Sequence, residues 1–162
     1  MQRRLFLNLA TSVLSVFFMV HSAQAETVIL TVENPGTGRT VTFTDAQLME
    51  LPQEVFETET IWTEGDVEFS GPTLKAVLEH AEMTLGDVEL YAINDYNVVL
   101  PVDKIEDAAP IIANRLNGEP FSVREKGPLW VVFPYDDVER YNSEEYFAFS
   151  VWQLNKLNVL SE

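Results

Sequence analysis

The chain has 162 residues, no cysteine and a formal net charge of −16 at pH 7. The missing cysteine excludes disulfides, thiolate metal ligands and a cysteine nucleophile. So acidic a protein repels nucleic acid and anionic membranes, and neither is an expected partner. His80 is the one histidine beyond the first 25 residues, so a Ser-His-Asp triad or a multi-histidine zinc site is not favoured.

Residues 1–25 have the form of a cleaved export signal. Arg3 and Arg4 precede an apolar stretch, and residues 23–25 read Ala-Gln-Ala, the small-x-small form of a cleavage site. We prefer cleavage to a membrane anchor because the apolar stretch is short and ends at that site. The arginine pair leaves the twin-arginine route open, although we favour general secretion. The sequence thus predicts a periplasmic protein without stable membrane insertion, whose mature chain, residues 26–162, is a single domain.

The mature chain is expected to begin with two short strands and a short helix. Residues 27–32 are β-branched and apolar, and residues 39–43 continue the same pattern after a turn. Thr44 and Gln47 have the spacing of a capping box, which predicts the start of a helix. Pro52 is expected to stop that helix.

The next two elements are an amphipathic strand and the strongest helix of the chain. Residues 54–62, EVFETETIW, alternate between two faces. After Ser70-Gly71, Pro72 suits the first turn of a helix because its missing N–H is not needed there. The apolar stripe of this helix consists of Leu74, Val77, Leu78 and Ala81.

Polar turns and short strands make up the remainder of the pattern. Strands are predicted at residues 88–93 and 98–100, on either side of the polar turn 94–97. Asp103 has the position of a cap for a short helix that runs through Ala109.

A hairpin and a buried strand follow. Two strands, 111–116 and 119–123, flank Asn117-Gly118, a strong hairpin signal. Residues 129–133 lack alternation, which predicts a strand buried on both faces. Together the elements predict an α+β fold, a mixed sheet or barrel-like core with short helices at its side.

Three stretches, in this order, resemble one fold family. They are Phe69-Ser70-Gly71-Pro72 before the amphipathic helix, VELYAINDYNVVLPVDKI, and IIANRLNGEPFSVREKGPLWVVFP. The region Phe69 to Val159 resembles the molybdopterin-binding domain of the sulfite oxidase family. The resemblance implies a sulfite-oxidase-like mixed β-sheet or barrel core with short flanking helices.

The sequence departs from that family at the molybdenum ligand. Those enzymes hold the metal through one cysteine thiolate upstream of the Gly-Pro helix, where this chain reads EVFETETIWTEGDVEF. A molybdenum cofactor is therefore not expected, and no residue is assigned as catalytic or as a metal ligand. A molybdopterin-dependent oxidoreductase or its subunit stays as an alternative function.

A closer resemblance is to small exported proteins that keep this fold without the cysteine. Their carboxy-terminal halves are similar to SVREKGPLWVVFPYDD and SVWQL in this chain. The resemblance, closest to pterin-responsive periplasmic regulators, implies a non-catalytic binding protein for a reduced pterin or similar small molecule. Its implied partner is the periplasmic domain of a membrane sensor, either a cyclic di-GMP enzyme or a kinase. A ligand-free interaction module is a further alternative.

A pterin needs an aromatic face, acceptors for its N–H groups and a donor for its carbonyl oxygen. Two segments contain these residue types, the polar turn 94–97 and the residues at and around the predicted strand 129–133. The candidate ligand-binding residues are Asn94, Asp95, Tyr96, Arg124, Lys126, Trp130, Tyr135 and Asp136.

Most of these candidates also have a purely structural interpretation. Trp130 is expected in the core rather than at a ligand, and Asp95 can form an Asx turn. Arg124 and Lys126 can pair with nearby acids such as Asp136 at the surface. Other residues have structural expectations alone. Trp62 and Trp152 are expected in the core, and Glu144-Glu145 on a solvated loop.

Overall fold

The structure is a computed structural model that describes residues 26–83 and 86–160. The export signal predicted at residues 1–25 lies outside the described residues. Within them, no helix is both long enough and apolar enough to cross a membrane. In chain order the strands and α-helices are β1 (Val28–Asn34), β2 (Arg39–Thr44), α1 (Asp45–Met49), β3 (Gln53–Glu59), β4 (Asp66–Pro72), α2 (Leu74–His80), β5 (Val88–Ala92), β6 (Asn97–Leu100), β7 (Ile111–Ala113), β8 (Arg115–Leu116), β9 (Trp130–Val132), α3 (Glu144–Ala148) and β10 (Leu154–Val159).

The largest sheet has five strands in the order β2-β1-β10-β5-β6. β10 runs parallel to β1, with Thr31 opposite Lys156, while the other pairs are antiparallel. The last strand of the described chain therefore lies between its first strand and β5. Alternate side chains of these strands point inward, so that Leu30, Val32 and Leu90 are fully buried.

Two smaller sheets complete the α+β fold, one with the order β3-β4-β8 and one formed by β7 and β9. β4 lies close against β7. The backbone N–H of Asn114 donates to the carbonyl of Ser70 at 3.0 Å. A β-carbon added to Gly71 would clash with the carbonyl oxygen of Ile112, so glycine is required for this approach.

The predicted start of α1 is confirmed. The Thr44 hydroxyl accepts from the backbone N–H of Gln47 at 3.3 Å, and the Gln47 side chain accepts from the Thr44 N–H at 2.8 Å. The apolar stripe predicted for α2 is also confirmed, since all four of its residues are fully buried. Pro72 was expected in the first turn of α2, but it ends β4. Thr73 caps the helix by accepting from the N–H of Ala76 at 3.0 Å.

Several predicted boundaries are wrong for local reasons. The strand predicted at 54–62 ends at Glu59, because a hydrogen-bonded turn begins at Thr60. Asp103 caps no helix to Ala109; it lies inside a short 3₁₀-helix, Val102–Lys104, which Pro101 precedes.

The hairpin around Asn117-Gly118 is shorter than predicted. Both turn residues have positive φ, 50° and 78°, as a tight hairpin turn requires. Glu119 pairs with Leu116, but Pro120 has no N–H to extend the ladder, and residues 119–123 form no strand. The buried strand predicted at 129–133 is confirmed as β9 with its flanks, all of it at most 1% exposed.

Candidate binding site

An open cleft of about 480 Å³ lies between β3, the β5–β6 turn and α3, and we call it the aromatic cleft. Residues from three segments line it, two after β3, three at the β5–β6 turn and six in and after α3: Ile61, Trp62; Ala92, Asn94, Tyr96; Glu144, Phe147, Ala148, Ser150, Val151 and Trp152. The lining is mostly apolar with a few polar groups. That volume and composition are typical of small-molecule sites in proteins.

Three half-buried aromatic side chains form the walls of the aromatic cleft. The ring of Trp62 lies 5.2 Å from that of Trp152 and 6.1 Å from that of Phe147, between ring centroids. Trp130 lies behind them, 6.1 Å from Trp62 and 6.2 Å from Trp152, and is only 1% exposed. The walls therefore offer aromatic surface that a packed core of aromatic rings supports from behind.

A compact turn places Trp62 at the mouth of the cleft. The backbone N–H of Trp62 donates to the hydroxyl of Thr60 at 3.1 Å, and the two threonine hydroxyls, Thr60 and Thr63, lie 3.0 Å apart. The N–H of Thr60 in turn donates to the Thr63 hydroxyl at 3.1 Å. This local network orients Trp62 without help from a regular strand.

Polar groups come from the turn and from α3. Asn94 forms an Asx turn, in which its side-chain oxygen accepts from the N–H of Tyr96 at 3.2 Å. Its amide N–H₂ group donates to no other residue in the part of the chain that the structure describes. Glu144, at the first turn of α3, is exposed, and its carboxylate makes no hydrogen bond or ion pair within the described residues. An amide donor and a free carboxylate thus border an aromatic surface.

The Ser150 hydroxyl is a third polar group, and it already makes hydrogen bonds within the protein. It donates to the carbonyl of Tyr146 at 3.2 Å and also hydrogen-bonds the Tyr135 hydroxyl. Burial raises the pKa of Tyr135 to about 12, so this phenol is neutral at physiological pH.

The structure brings two of the predicted site residues, Asn94 and Tyr96, to the aromatic cleft. Asp95, with a φ of 64°, instead lines a smaller polar hollow of about 270 Å³ beside Lys156. Trp130 and Tyr135 are each 1% exposed, so they stand behind the cleft surface and a ligand cannot touch them in this conformation.

The charged candidates have other positions. The carboxylate of Asp136 accepts hydrogen bonds from Thr58 and Glu59. The ammonium of Lys126 lies 6.0 Å from the centroid of the Trp130 ring. Arg124 is exposed, and it forms no ion pair with Asp136 or any other acid of residues 26–83 and 86–160. Their contact with a ligand stays a prediction.

Sequence reasoning missed most of the cleft. Trp62 and Trp152 were expected in the core, yet both are half-buried in its walls, and Glu144 was expected on a solvated loop. The aromatic density of residues 146–152, YFAFSVW, directly after an acidic helix start, is a signal that could have found Phe147 and Trp152.

The residues do not fit the molybdenum centre of the enzymes that the sequence resembles. The chain has no thiolate to offer. Across the described residues, no cluster of three or more histidine, aspartate or glutamate side chains is placed to hold a metal ion. The chain matches no protein-family model, and a search of curated proteins found no match to it.

Proposed function

We propose that this protein binds a reduced pterin, or a similar flat and nitrogen-rich heterocycle, in the aromatic cleft without transforming it. The observation that supports this proposal is that half-buried indole rings and the Glu144 carboxylate line the same cleft, and that this carboxylate has no partner among residues 26–83 and 86–160. An aromatic surface suits the face of a bicyclic ring, and a carboxylate suits its edge.

The chemistry of a pterin matches the polar groups of the cleft. Its amino group and ring N–H lie side by side and donate, and the carboxylate of Glu144 has two oxygens that accept. Its carbonyl oxygen accepts, and the amide of Asn94 has free N–H donors. Charge-assisted hydrogen bonds to a carboxylate are roughly twice as strong as neutral ones, so Glu144 is the main specificity group.

The order of the elements supports a sulfite-oxidase-like arrangement within the α+β fold. The buried strand β9 follows a Gly-Pro pair, and Pro134 follows it shortly after. Since no thiolate is present, a fold of this type would hold its ligand without molybdenum chemistry, which supports binding over oxo transfer.

The proposed role of the bound state is to signal, in the periplasm, to a membrane sensor such as a cyclic di-GMP enzyme or a kinase. Large apolar side chains at and beside the cleft mouth support a protein partner there. Ile61 is 67% exposed, Tyr96 52% and Ile93 46%. Ile93 donates its N–H to the carbonyl of Gln153, the neighbour of Trp152, at 2.9 Å, so this surface adjoins the cleft wall.

Titration of the mature chain, residues 26–162, with tetrahydrobiopterin under anaerobic conditions tests the binding step. Saturable quenching of tryptophan fluorescence and a matching calorimetric isotherm are expected. Glu144→Gln should weaken the affinity about tenfold, equivalent to about 1.4 kcal/mol. Glu145→Gln is the matched control, because Glu145 pairs with Lys104 at 3.1 Å away from the cleft and should bind like the wild type.

The outcomes separate the alternatives. The proposed ligand binding would be refuted if the wild type showed no saturable binding and no small molecule co-purified with it in native mass spectrometry. That result would favour an interaction module. Stoichiometric molybdenum in protein recovered from the periplasm would favour an oxidoreductase instead. Arg124 does not line the cleft, so Arg124→Ala tests its predicted contact with the ligand, and unchanged affinity for tetrahydrobiopterin would refute that contact.

A further inference from the structure

We propose that Tyr135 and Asp136 are positioning residues that hold two adjoining walls of the aromatic cleft and so set how these walls lie relative to each other. The inference rests on the binding function proposed above. The two residues are adjacent in one turn after β9, and each bonds a different wall from behind.

Asp136 holds the wall that carries Trp62. Its carboxylate accepts from the hydroxyl of Thr58 at 2.9 Å and from the backbone N–H of Glu59 at 2.6 Å. The N–H of Asp136 donates back to the Thr58 hydroxyl at 3.3 Å. Glu59 is the last residue of β3, and the turn that presents Trp62 starts at the next residue, Thr60. A fixed carboxylate therefore anchors that turn at its base.

Tyr135 holds the wall that carries Ser150 and Phe147. Its hydroxyl hydrogen-bonds the hydroxyl of Ser150, and its ring lies 5.0 Å from the ring of Phe147, between centroids. Both partners line the aromatic cleft. Because Tyr135 is buried and neutral, this contact persists over the physiological pH range.

One turn therefore bonds to two walls of the cleft whose residues are far apart in sequence. Thr58 and Glu59 lie more than 70 residues before Asp136, whereas Ser150 lies 15 residues after Tyr135. A movement of the turn changes the separation of Trp62 and Ser150. Tyr135 and Asp136, which the sequence predicts in contact with the ligand, therefore act on it through Trp62, Phe147 and Ser150.

Fluorine NMR of the mature chain labelled with 6-fluorotryptophan tests the positioning without any ligand. The three tryptophans give three resonances, which single Trp→Phe variants assign. Asp136→Ala should shift or broaden the Trp62 resonance more than the Trp152 resonance. Tyr135→Phe should show the reverse order, because Ser150 is two residues from Trp152. Asp137→Ala, next in the chain and exposed, is the matched control and should change neither.

Affinity for tetrahydrobiopterin gives the second readout. Asp136→Ala should weaken binding about tenfold, or about 1.4 kcal/mol. Asp136→Asn should keep most of the affinity because its side-chain oxygen can still accept from Glu59. If Asp136→Ala does not fold, Thr58→Val carries the test, since it removes one donor to Asp136 at nearly constant volume.

The two proposals fail in different ways. A wild-type protein that binds no pterin refutes the proposed function, while the fluorine spectra still decide the role of the turn. An unchanged Trp62 resonance in folded Asp136→Ala, or in Thr58→Val where the alanine variant is unfolded, overturns the positioning role of Asp136. Unchanged spectra in Tyr135→Phe overturn that of Tyr135.

Discussion

The indole rings of Trp62 and Trp152 meet at an angle of 64°, with their centroids 5.2 Å apart. A flat ligand sandwiched between two parallel rings needs them roughly 7 Å apart, since aromatic faces stack at about 3.5 Å. These two rings therefore form a corner and not a slot. A heterocycle in the aromatic cleft stacks on one indole and meets the edge of the other.

This corner predicts that both indole rings contribute to ligand binding. Replacing Trp152 or Trp62 by alanine should each weaken tetrahydrobiopterin binding by about 1–3 kcal/mol, the usual cost of removing an aromatic stacking partner. Trp152→Phe should recover most of the loss because it keeps an aromatic face. Isothermal titration calorimetry measures the change, with Val99→Ala on the exposed part of β6 as the control. Wild-type affinity in both alanine variants would refute stacking.

A second prediction concerns stability in acid. Arg115 donates to both carboxylate oxygens of Asp45, at 2.7 and 2.9 Å, and Asn114 donates to one of them at 3.0 Å. The Arg115 hydrogen bonds lower the pKa of Asp45 below its ordinary value of 3.8. A group whose pKa is lower in the folded state than in the unfolded state stabilises the fold fully at pH values above the unfolded-state pKa. This stabilisation disappears as the pH falls through the folded-state pKa.

Asp45→Asn should therefore lower the free energy of unfolding at pH 7 by about 1 kcal/mol, a modest figure because solvent screens the half-exposed carboxylate. The difference from the wild type should shrink below about pH 3. Urea unfolding at both pH values measures it. Asp107→Asn, which breaks an exposed pair with Lys75, should leave the midpoint unchanged. A difference that persists in acid would contradict the assignment.

The loss of folding stability at alkaline pH should depend on Tyr135. Its pKa is raised to about 12 because burial disfavours the phenolate. An acid whose pKa is raised in the folded state contributes its full stability below the pKa of the unfolded state, about 10 for tyrosine. This contribution, on the order of 2 kcal/mol, is lost as the pH rises towards 12. The free energy of unfolding of Tyr135→Phe should therefore fall less between pH 10 and 12 than that of the wild type. Parallel curves would show that the Tyr135 phenol ionises freely.

The approach of β4 to β7 gives a steric prediction. Gly71→Ala would place a β-carbon against the Ile112 carbonyl and 2.8 Å from the α-carbon of Ala113, both backbone atoms that cannot give way. We expect a loss of about 3 kcal/mol in the free energy of unfolding, measured by urea denaturation. Ser70→Ala, at the neighbouring position of the same strand, should cost much less. Equal losses in the two variants would contradict the clash.

The sequence by itself determined the local parts of this protein. The cap of α1 follows from Thr44 and Gln47, because a capping box needs only residues three apart. The buried stripe of α2 follows from its apolar periodicity, which helix geometry converts directly into one face. The buried strand β9 follows from an apolar run without alternation, which is typical of a strand buried on both faces. These parts suffice to predict an α+β fold with short helices.

Only the tertiary structure decided the aromatic cleft. Trp62, Asn94 and Glu144 are distant in sequence, and they meet because β10 pairs with β5 and because the turn at Asp136 ties the end of β3. Neighbouring residues of a turn point in different directions, so Tyr135 is buried behind one wall, while the exposed Asp136 bonds the end of β3. Arg124, ahead of β9, lies in solvent. The sequence shows which residue types are neighbours, but it does not show where their side chains point. The direction of a side chain decides whether it contacts a ligand.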